Sequence, residues 1–572
     1  MAETKLSRPP RLLIIGLDGA QLAVIEGLVQ QGRLPHLGRL LSQGASGLLT
    51  STLPPVTPSA WTSFMTGKNP GKHGLFDFLE LVEGAYNFQY TNARSRLVPT
   101  MWDTLNSQGL RVGLFNIPMT FPPMPLEGFV VAGMDTPDAD ADFIHPRELK
   151  EELTRKFGRL ELDIRHLGFL KNDTLRSQIL DELKAMEVRR ADLFLYLLEH
   201  HPVDVGMIVL SSTDTVQHYF WHYQDQSHHW NESVRGHRFE SAVEEVYANV
   251  DAQVGRLLSS VPPETSVIVM SDHGGGGIGD VVLHINQFLL DEGFLSLKPI
   301  GAASRLYRRV LSLLDDRIRG WLNSDQKAKL AYLLPWLRTK WEGDNTGLSL
   351  LDWPRTKAFG IEVLGFPSSI WVNLKGRFPH GCVNPGSEYE ALLREMKSRF
   401  LNLKVNGRQL IPHVYVRDEM FSGPFRDRGP DMILDWWDNS SFSPQPSFRG
   451  GVTGPAWEPT GSYRADYSQW TGTHRLEGTL VMAGPPFKNG VRLDHPHILD
   501  IAPTVFYLLG KPVPEDLDGR VLLDGFHGRF VAENPLNTEA AREMTLDRDA
   551  VTYTQAEADK IAARLKQLGY LD

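Results

Sequence analysis

Residues 12–18 read LLIIGLD, an apolar run that ends in an acidic residue. Two later stretches repeat this arrangement: MIVLSSTD ends at Asp214, and VIVMSDH carries Asp272. Continuous rather than alternating apolarity is typical of strands that are buried on both faces of a parallel sheet. We therefore expect Leu12–Leu17 to be a central strand, with Asp18 at its carboxyl end.

Further strand-like and helix-like patterns alternate along the chain. Strands are predicted at Arg111–Phe115, Val205–Leu210, Ser266–Met270 and Thr479–Ala483. Helical patterns cover Ala20–Gln43, Pro58–Thr66, Pro146–Phe157, Leu175–Glu199 and Glu240–Leu258. Such alternation over this length predicts an α/β fold with a central, mostly parallel sheet flanked by helices.

The middle of the chain differs from this pattern. It has a basic helical stretch, two β-like segments, a helix and Gly- and Pro-rich loops, at Ser304–Trp341, Ser369–Leu374, Pro412–Arg417, Glu388–Phe400 and Asn439–Ala465. We expect residues 1–284 and 471–528 to form a catalytic core and residues 285–470 to form a large inserted α+β cap. Residues 529–572 are expected to be a tail with a closing helix at Thr554–Leu568.

Composition excludes several classes of protein. The formal net charge of −10 argues against broad binding to nucleic acid or to anionic lipid. Cys382 is the only cysteine, so neither an intrachain disulfide nor a cysteine-based zinc site can form. No run approaches the ~18 apolar residues of a membrane span. We therefore expect a cytoplasmic protein that binds neither nucleic acid nor membrane, of undetermined oligomeric state.

The three strand-end aspartates indicate a metal site. Ligands of open α/β sheets bind beyond the carboxyl ends of the strands. A single acidic residue there is more often a helix cap or a turn residue. Three carboxylates brought to one edge would repel one another unless a cation lay between them, and a divalent metal is the simplest such cation.

Histidines supply further candidate ligands. His218 lies four residues after Asp214, so both would share one face of a helix. His273 follows Asp272 and precedes four glycines, and His474 lies just before the last predicted core strand. Each histidine alone would more often be structural. The mixed carboxylate and imidazole set favours zinc, with manganese, cobalt or iron as alternatives.

Thr57 is the candidate nucleophile. Pro58 suits the first position of a helix, which predicts that Thr57 is the N-cap. A structural cap is the simpler interpretation, but a hydroxyl at a helix N-terminus beside metals is also placed to attack an incoming phosphate. Ser59, Thr62 and Ser63 are the alternative hydroxyls.

Five motifs occur in the order that is found in the alkaline phosphatase superfamily. They are IIGLDG at Asp18, PPVTPSAWTSFMTGKNPGKHG from Pro54, STDTVQH at Asp214, SDHG at Asp272 and GTHRLEG at His474. The chain most resembles the type I phosphodiesterase/nucleotide pyrophosphatase family. Phe115–Pro123, Ile285–Leu295 and Asp500–Gly510 are similar to segments of its prokaryotic members.

The resemblance implies an alkaline-phosphatase-like fold and a two-metal hydrolase. One metal would be held by Asp214, His218 and His474, and the other by Asp18, Thr57, Asp272 and His273. Thr57 would attack phosphorus to give a covalent phospho- or nucleotidyl-threonine. The expected substrate is a small phosphorylated compound such as a nucleotide or a nucleotide sugar.

One position departs from the family pattern. Ala60 stands where the animal enzymes have an asparagine that helps to bind a phosphate oxygen. Asn116 or the backbone amide of Ser59 could replace that contact. Phosphomonoesterase and phosphonate (C–P) hydrolase activity therefore stay open beside phosphodiesterase activity, as does a non-catalytic binding protein on the same scaffold. The tryptophans of the predicted cap suit core packing better than stacking on a base or a sugar.

Overall fold

The structure is a computed structural model. It describes residues 6, 8–161, 163–164, 172–298, 348–360, 368–438, 442–445, 456–460, 470–541 and 553–567. None of the described helices is both long enough and apolar enough to cross a membrane.

A nine-stranded sheet forms the centre of the molecule. Its spatial order is β22-β2-β21-β9-β1-β8-β5-β6-β7. The strands are β1 (Leu12–Leu17), β2 (Gly44–Thr50), β5 (Val112–Ile117), β6 (Gly128–Ala132), β7 (Ile144–His145), β8 (Val205–Leu210), β9 (Ser266–Met270), β21 (Glu477–Ala483) and β22 (Val491–Arg492). All five predicted core strands are present, which confirms the α/β fold.

Most neighbouring strands of this sheet are parallel. β1 pairs in parallel with both β8 and β9, so the chain segments after these three strands leave the sheet at the same edge. β21 is antiparallel to β9 and therefore begins at that edge. The ends of the three parallel strands and the start of β21 therefore lie at the same edge of the sheet.

Apolar side chains of β1 are buried on both faces of the sheet. Leu13 and Ile15 belong to the larger hydrophobic cluster, whereas Leu12 and Ile14 belong to the cluster on the other face. Alternate residues of a strand point to opposite faces, so burial on both sides requires the unbroken apolar run.

Helices flank the two faces of the central sheet. They are α1 (Leu22–Gln30), α2 (Pro35–Gln43), α3 (Thr57–Thr66), α4 (Pro70–His73), α5 (Met101–Ser107), α6 (Glu148–Phe157), α7 (Asp173–His200), α8 (Ser212–Gln224), α9 (Ala242–Ser260), α10 (Ile285–Asp291), α11 (Ser387–Leu401), α12 (Arg417–Met420), α13 (Ile501–Leu508), α14 (Gly528–Glu533) and α15 (Gln555–Gln567).

One predicted helix was wrong, and some strands of the central sheet were not predicted. The single helical pattern at Ala20–Gln43 is divided into α1 and α2, because Gly32 takes a left-handed φ of 73° and Pro35 begins a new helix. Strands β2 and β6 were not expected. β2 reads GASGLLT, and its small residues hide the apolar signal of a strand.

Residues of the predicted cap form smaller sheets. A four-stranded sheet has the order β12-β13-β17-β16, made by Ala358–Gly360, Ser369–Val372, Met432–Leu434 and Val414–Val416. Its predicted strands and the helix α11 are present. Ser304–Trp341 lies outside the described residues, and so does most of Asn439–Ala465.

The remaining strands are short. They are β3 (Leu79–Leu81), β4 (Phe88–Tyr90), β10 (Gly274–Gly277), β11 (Val281–His284), β14 (Lys404–Val405), β15 (Arg408–Gln409), β18 (Phe442–Gln445), β19 (Trp457–Pro459), β20 (Gly472–Arg475), β23 (Val513–Pro514) and β24 (Thr538–Glu539).

Gly16 in β1 lets α3 pack closely on the sheet. A Cβ atom there would lie 2.6 Å from the Trp61 ring and 2.9 Å from the Val209 side chain. We expect Gly16→Ala to destabilise the protein by about 1–3 kcal/mol, because neither buried neighbour can move away freely. Thermal or urea unfolding measures this change.

Gly27 in α1 provides the matched control, since a Cβ atom there meets nothing within 4 Å. Gly27→Ala should leave stability unchanged or raise it by up to about 1 kcal/mol. Equal effects of the two substitutions would contradict the packing role of Gly16.

Candidate active site

Three aspartates meet at the carboxyl edge of the central sheet. Asp18 directly follows β1, Asp272 lies two residues after β9, and Asp214 lies in the first turn of α8, which follows β8. All three side chains are buried, and β9, β1 and β8 are adjacent strands. The strand order therefore brings the predicted carboxylates together.

His474 reaches this edge because β20 and β21 approach it from the opposite direction. In the β10–β20 ladder, Gly275 pairs with His474. A Cβ atom on Gly275 would lie 2.5 Å from the Gln217 side chain. The glycine run after His273 thus forms a strand that packs against α8.

The three histidines share one orientation. The Nδ1 atoms of His218, His273 and His474 lie 2.9, 3.0 and 2.8 Å from the carbonyl oxygens of Gly472, Gly274 and Pro55. A carbonyl oxygen only accepts hydrogen bonds, so in the neutral imidazole the proton is on Nδ1 and Nε2 presents a lone pair. Carbonyl partners of this kind commonly orient metal-binding histidines.

The Nε2 atoms face carboxylates and one another. His273 Nε2 is 3.3 Å from Asp272 Oδ2 and 3.6 Å from Asp18 Oδ1. His474 Nε2 is 3.1 Å from His218 Nε2 and 3.5 Å from Asp214 Oδ1. Lone pairs that face one another at these distances repel unless a cation or a proton lies between them.

Burial and mutual repulsion disfavour ionisation of two of the aspartates. Burial, followed by the negative charges of Asp272 and Asp214, raises the pKa of Asp18 well above its ordinary value. Burial and the charge of Asp214 likewise raise the pKa of Asp272. Among the described residues, Asp18 Oδ1 and Asp272 Oδ2 accept no hydrogen bond. These oxygens are available to a metal ion.

Asp214 and His474 differ from that pair. Burial opposes ionisation of Asp214, but the positive charge of a protonated His218, and the hydrogen bond that its Nε2–H then donates, hold the pKa of Asp214 below its usual value. Burial, followed by the charge of His273, holds the pKa of His474 well below its ordinary value, so this imidazole is neutral. A neutral imidazole beside an ionised carboxylate is the protonation state in which both can bind a metal.

Two groups of side chains have the spacing of metal sites. Within each group, one potential ligand atom per residue lies within 4.8 Å of the others. The groups are Asp214, His273 and His474, and Asp18, Asp272 and His273. Oxygen and imidazole ligands suit zinc or manganese. His273 belongs to both groups, whereas the family resemblance assigned it to one.

Predicted residue His218 lies beside the first group. Its Nε2 atom is 3.2 Å from Asp214 Oδ1, as expected for residues four apart on α8. The ring of Trp470 stacks on His218 with centroids 3.8 Å apart. No sequence motif singled out Trp470, and its position two residues before β20 is the only local signal.

Thr57 is the first residue of α3 rather than its N-cap. Val56 takes extended backbone angles and is the N-cap, so the predicted position was wrong by one residue. The Thr57 hydroxyl is buried and lies 3.4 Å from His273 Nε2. It therefore faces the candidate ligands.

Asn116 lies at the end of β5 and is less clearly connected to the site. Its Nδ2 atom donates a hydrogen bond to the carbonyl oxygen of Val209, and its backbone has a φ of 60°. Its Oδ1 atom is buried and accepts no hydrogen bond from a described residue. A contact between Asn116 and a phosphate stays a prediction.

The burial of two tryptophans of the predicted cap tests the expectation that they pack in the core. Trp436 and Trp437 are each 1% exposed, which agrees with a packing role. The ring of Trp436 nevertheless lies 6.2 Å from that of His474. Trp336 and Trp341 lie outside the described residues.

This edge of the sheet has the features of a candidate metal centre for hydrolysis: buried carboxylates, three imidazoles and a neighbouring hydroxyl. The chain matches the model of the family "type I phosphodiesterase / nucleotide pyrophosphatase" over residues 12–434. Because the match covers well over half of the sequence, the chain belongs to this family of phosphoryl-transfer hydrolases, within the alkaline phosphatase superfamily. His474 lies beyond the matched residues.

Solved structures that match the chain include phosphonoacetate hydrolase from Sinorhizobium meliloti 1021. Its complexes with phosphonoformate and phosphonoacetate are each 14% identical to this chain and are matched over 89% of this chain and 99% of that chain. The TM-scores are 0.49 and 0.46. No curated protein sequence matches the chain significantly.

The raised pKa values of Asp18 and Asp272 predict how metal binding depends on pH. A carboxyl group with a raised pKa in the folded state favours folding below its unfolded pKa, and this contribution is lost as pH rises through the folded pKa. Metal-free protein should therefore lose stability with rising pH. Zinc should restore it, since the metal binds the ionised groups.

The rise in Tm on adding zinc should accordingly grow between about pH 5 and about pH 8. Thermal unfolding of chelator-treated protein with and without zinc, at a series of pH values, measures this. An equal or smaller zinc effect at the higher pH would contradict the account.

Proposed function

We propose that the protein is a two-metal phosphodiesterase or nucleotide pyrophosphatase with Thr57 as the nucleophile. The observation that carries this proposal is the convergence of unbonded carboxylate oxygens and Nε2 lone pairs beside the Thr57 hydroxyl. Asp214, His218 and His474 would hold one ion, and Asp18, Asp272, His273 and Thr57 the other. Zinc suits these ligands best, with manganese as the alternative.

The metal ions would neutralise charge on the phosphoryl oxygens and lower the pKa of a bound hydroxyl. The first backbone amides of α3 have no partner within the helix and point toward an incoming phosphate. Among them, the amide of Ser59 would contact a phosphate oxygen in place of the side chain that Ala60 lacks.

The reaction would proceed in two displacements. Thr57 Oγ1 forms a bond to phosphorus while the bond to the leaving alcohol breaks, and the threonine proton ends on that alcohol. Water then attacks the phosphothreonine diester, which releases the phosphate monoester and restores the hydroxyl.

Residues 285–470 are proposed to form the cap that selects the organic part of the substrate. This proposal is supported by the position of Trp436, which follows β17 of the four-stranded sheet and lies close to His474. A nucleotide or a nucleotide sugar is the proposed class of substrate.

Replacing Thr57 tests the nucleophile. Thr57→Ala should lower kcat on bis-p-nitrophenyl phosphate by on the order of 10³-fold or more, because no other hydroxyl replaces the attacking oxygen. Thr66→Ala is the matched control: it removes a hydroxyl at the other end of α3 that donates to the carbonyl oxygen of Thr62. Full activity of Thr57→Ala would rule out the covalent route.

The choice of substrate class has its own test. Chelator-treated protein supplied with zinc or manganese should hydrolyse bis-p-nitrophenyl phosphate faster than p-nitrophenyl phosphate. Faster turnover of the monoester would contradict the proposed diesterase activity. It would favour the alternatives, a phosphomonoesterase or a phosphonate hydrolase that uses the same site.

A further inference from the structure

A buried ion pair on α7 holds the N-terminus of α8. Glu187 is 0% exposed and Arg190 is 1% exposed. The Oε1 atom of Glu187 accepts hydrogen bonds from the backbone amides of Ser211 and Ser212, at 2.9 and 2.8 Å. A carboxylate from one helix therefore caps the helix that carries Asp214 and His218.

This cap replaces the one that the local sequence would provide. Ser211 precedes α8 but makes no side-chain capping bond. The first amides of a helix need acceptors, and the positive end of the helix dipole favours a carboxylate. Arg190 balances the buried charge, since its Nη1 atom lies 3.1 Å from Glu187 Oε1 and 2.8 Å from the Ser211 hydroxyl.

The same end of α8 is joined to the loop that carries Asp18. The Thr213 hydroxyl donates to the backbone carbonyl of Asp18 at 2.6 Å, and Gln217 Nε2 donates to the carbonyl of Gly19 at 2.7 Å. The position of this helix end consequently fixes Asp214 and Asp18 relative to each other.

The ion pair of Glu187 and Arg190 also contacts a residue that lines the site. Arg190 Nη2 donates to Asp163 Oδ1 at 2.6 Å, and Asp163 lines a small cleft together with Asp18, Asp214 and His218. Asp163 is paired in addition with Arg564 of α15. The ion-pair network thus connects the C-terminal helix with the ligand-bearing helix.

We infer that Glu187 and Arg190 are positioning residues that set the affinity of the site for divalent metal by fixing Asp214 and His218 against Asp18. The inference rests on the proposed function. Residues that orient metal ligands without touching the metal commonly change its affinity by 10–100-fold when they are removed. The motifs that resemble the family do not include Glu187 or Arg190.

Asp251 allows a matched control for the loss of a helix cap. Its carboxylate, on α9, accepts hydrogen bonds from the amides of His36 and Leu37 at 3.1 and 2.7 Å. These amides lie in the first turn of α2, which carries none of the candidate ligands. Asp251→Ala therefore removes the same kind of interaction at a distance from the site.

The experiment compares zinc binding by full-length Glu187→Ala, Asp251→Ala and the unaltered protein. Chelator-treated protein is titrated with zinc in competition with a chromophoric chelator. Both variants should show a lower Tm, but only Glu187→Ala should bind zinc more weakly, by on the order of 10–100-fold.

Glu187→Gln is the second variant, to be read if Glu187→Ala does not fold. It keeps an oxygen that accepts from Ser211 and Ser212 but loses the charge that faces Arg190, so a smaller loss of zinc affinity is expected. Unchanged affinity in the folded Glu187 variants, or an equal loss in Asp251→Ala, would overturn the inference. Failure of the unaltered protein to bind zinc would instead refute the proposed metal centre, and the positioning role with it.

Discussion

The arrangement of the site depends on electrostatic repulsion among carboxylates and imidazole nitrogens that are buried close together. Asp18, Asp214 and Asp272 are buried together, and three imidazole Nε2 atoms face them and one another. Removing charged groups from water costs several kcal/mol each unless they are paired or hydrogen-bonded. Carboxylate oxygens and imidazole nitrogens that are buried this close together repel one another unless protons or cations lie between them. Divalent metal ions would meet that requirement.

The fold supplies this concentration through strand direction and backbone contacts. Three adjacent parallel strands bring the aspartates to one edge, and the antiparallel β21 brings His474 to the same edge. Carbonyl oxygens fix the Nδ1 side of each histidine, while Glu187 fixes the start of α8. Each candidate ligand is thus held in place by the surrounding structure, which would lower the entropy lost on binding a metal ion.

Much of this could be predicted from the sequence because its signals were local. Mostly apolar runs located the five expected strands, and residues near the ends of these strands indicated the candidate ligands. Features set by distant contacts could not be predicted. The small residues of β2 conceal a strand that is defined by pairing with β21, and the two amides that Glu187 caps lie 24 and 25 residues further along the chain. The start of α3 was predicted one residue too late, at Pro58, because Val56, which lacks a capping side chain, takes the N-cap position.

The central claim is that these side chains hold two divalent metal ions. Anomalous diffraction from crystals of the zinc-loaded protein, collected above and below the zinc absorption edge, tests it most directly. We expect two anomalous peaks, one beside Asp214, His218 and His474 and the other beside Asp18, Asp272, His273 and Thr57. The absence of both peaks from this edge of the sheet in zinc-loaded crystals would contradict it.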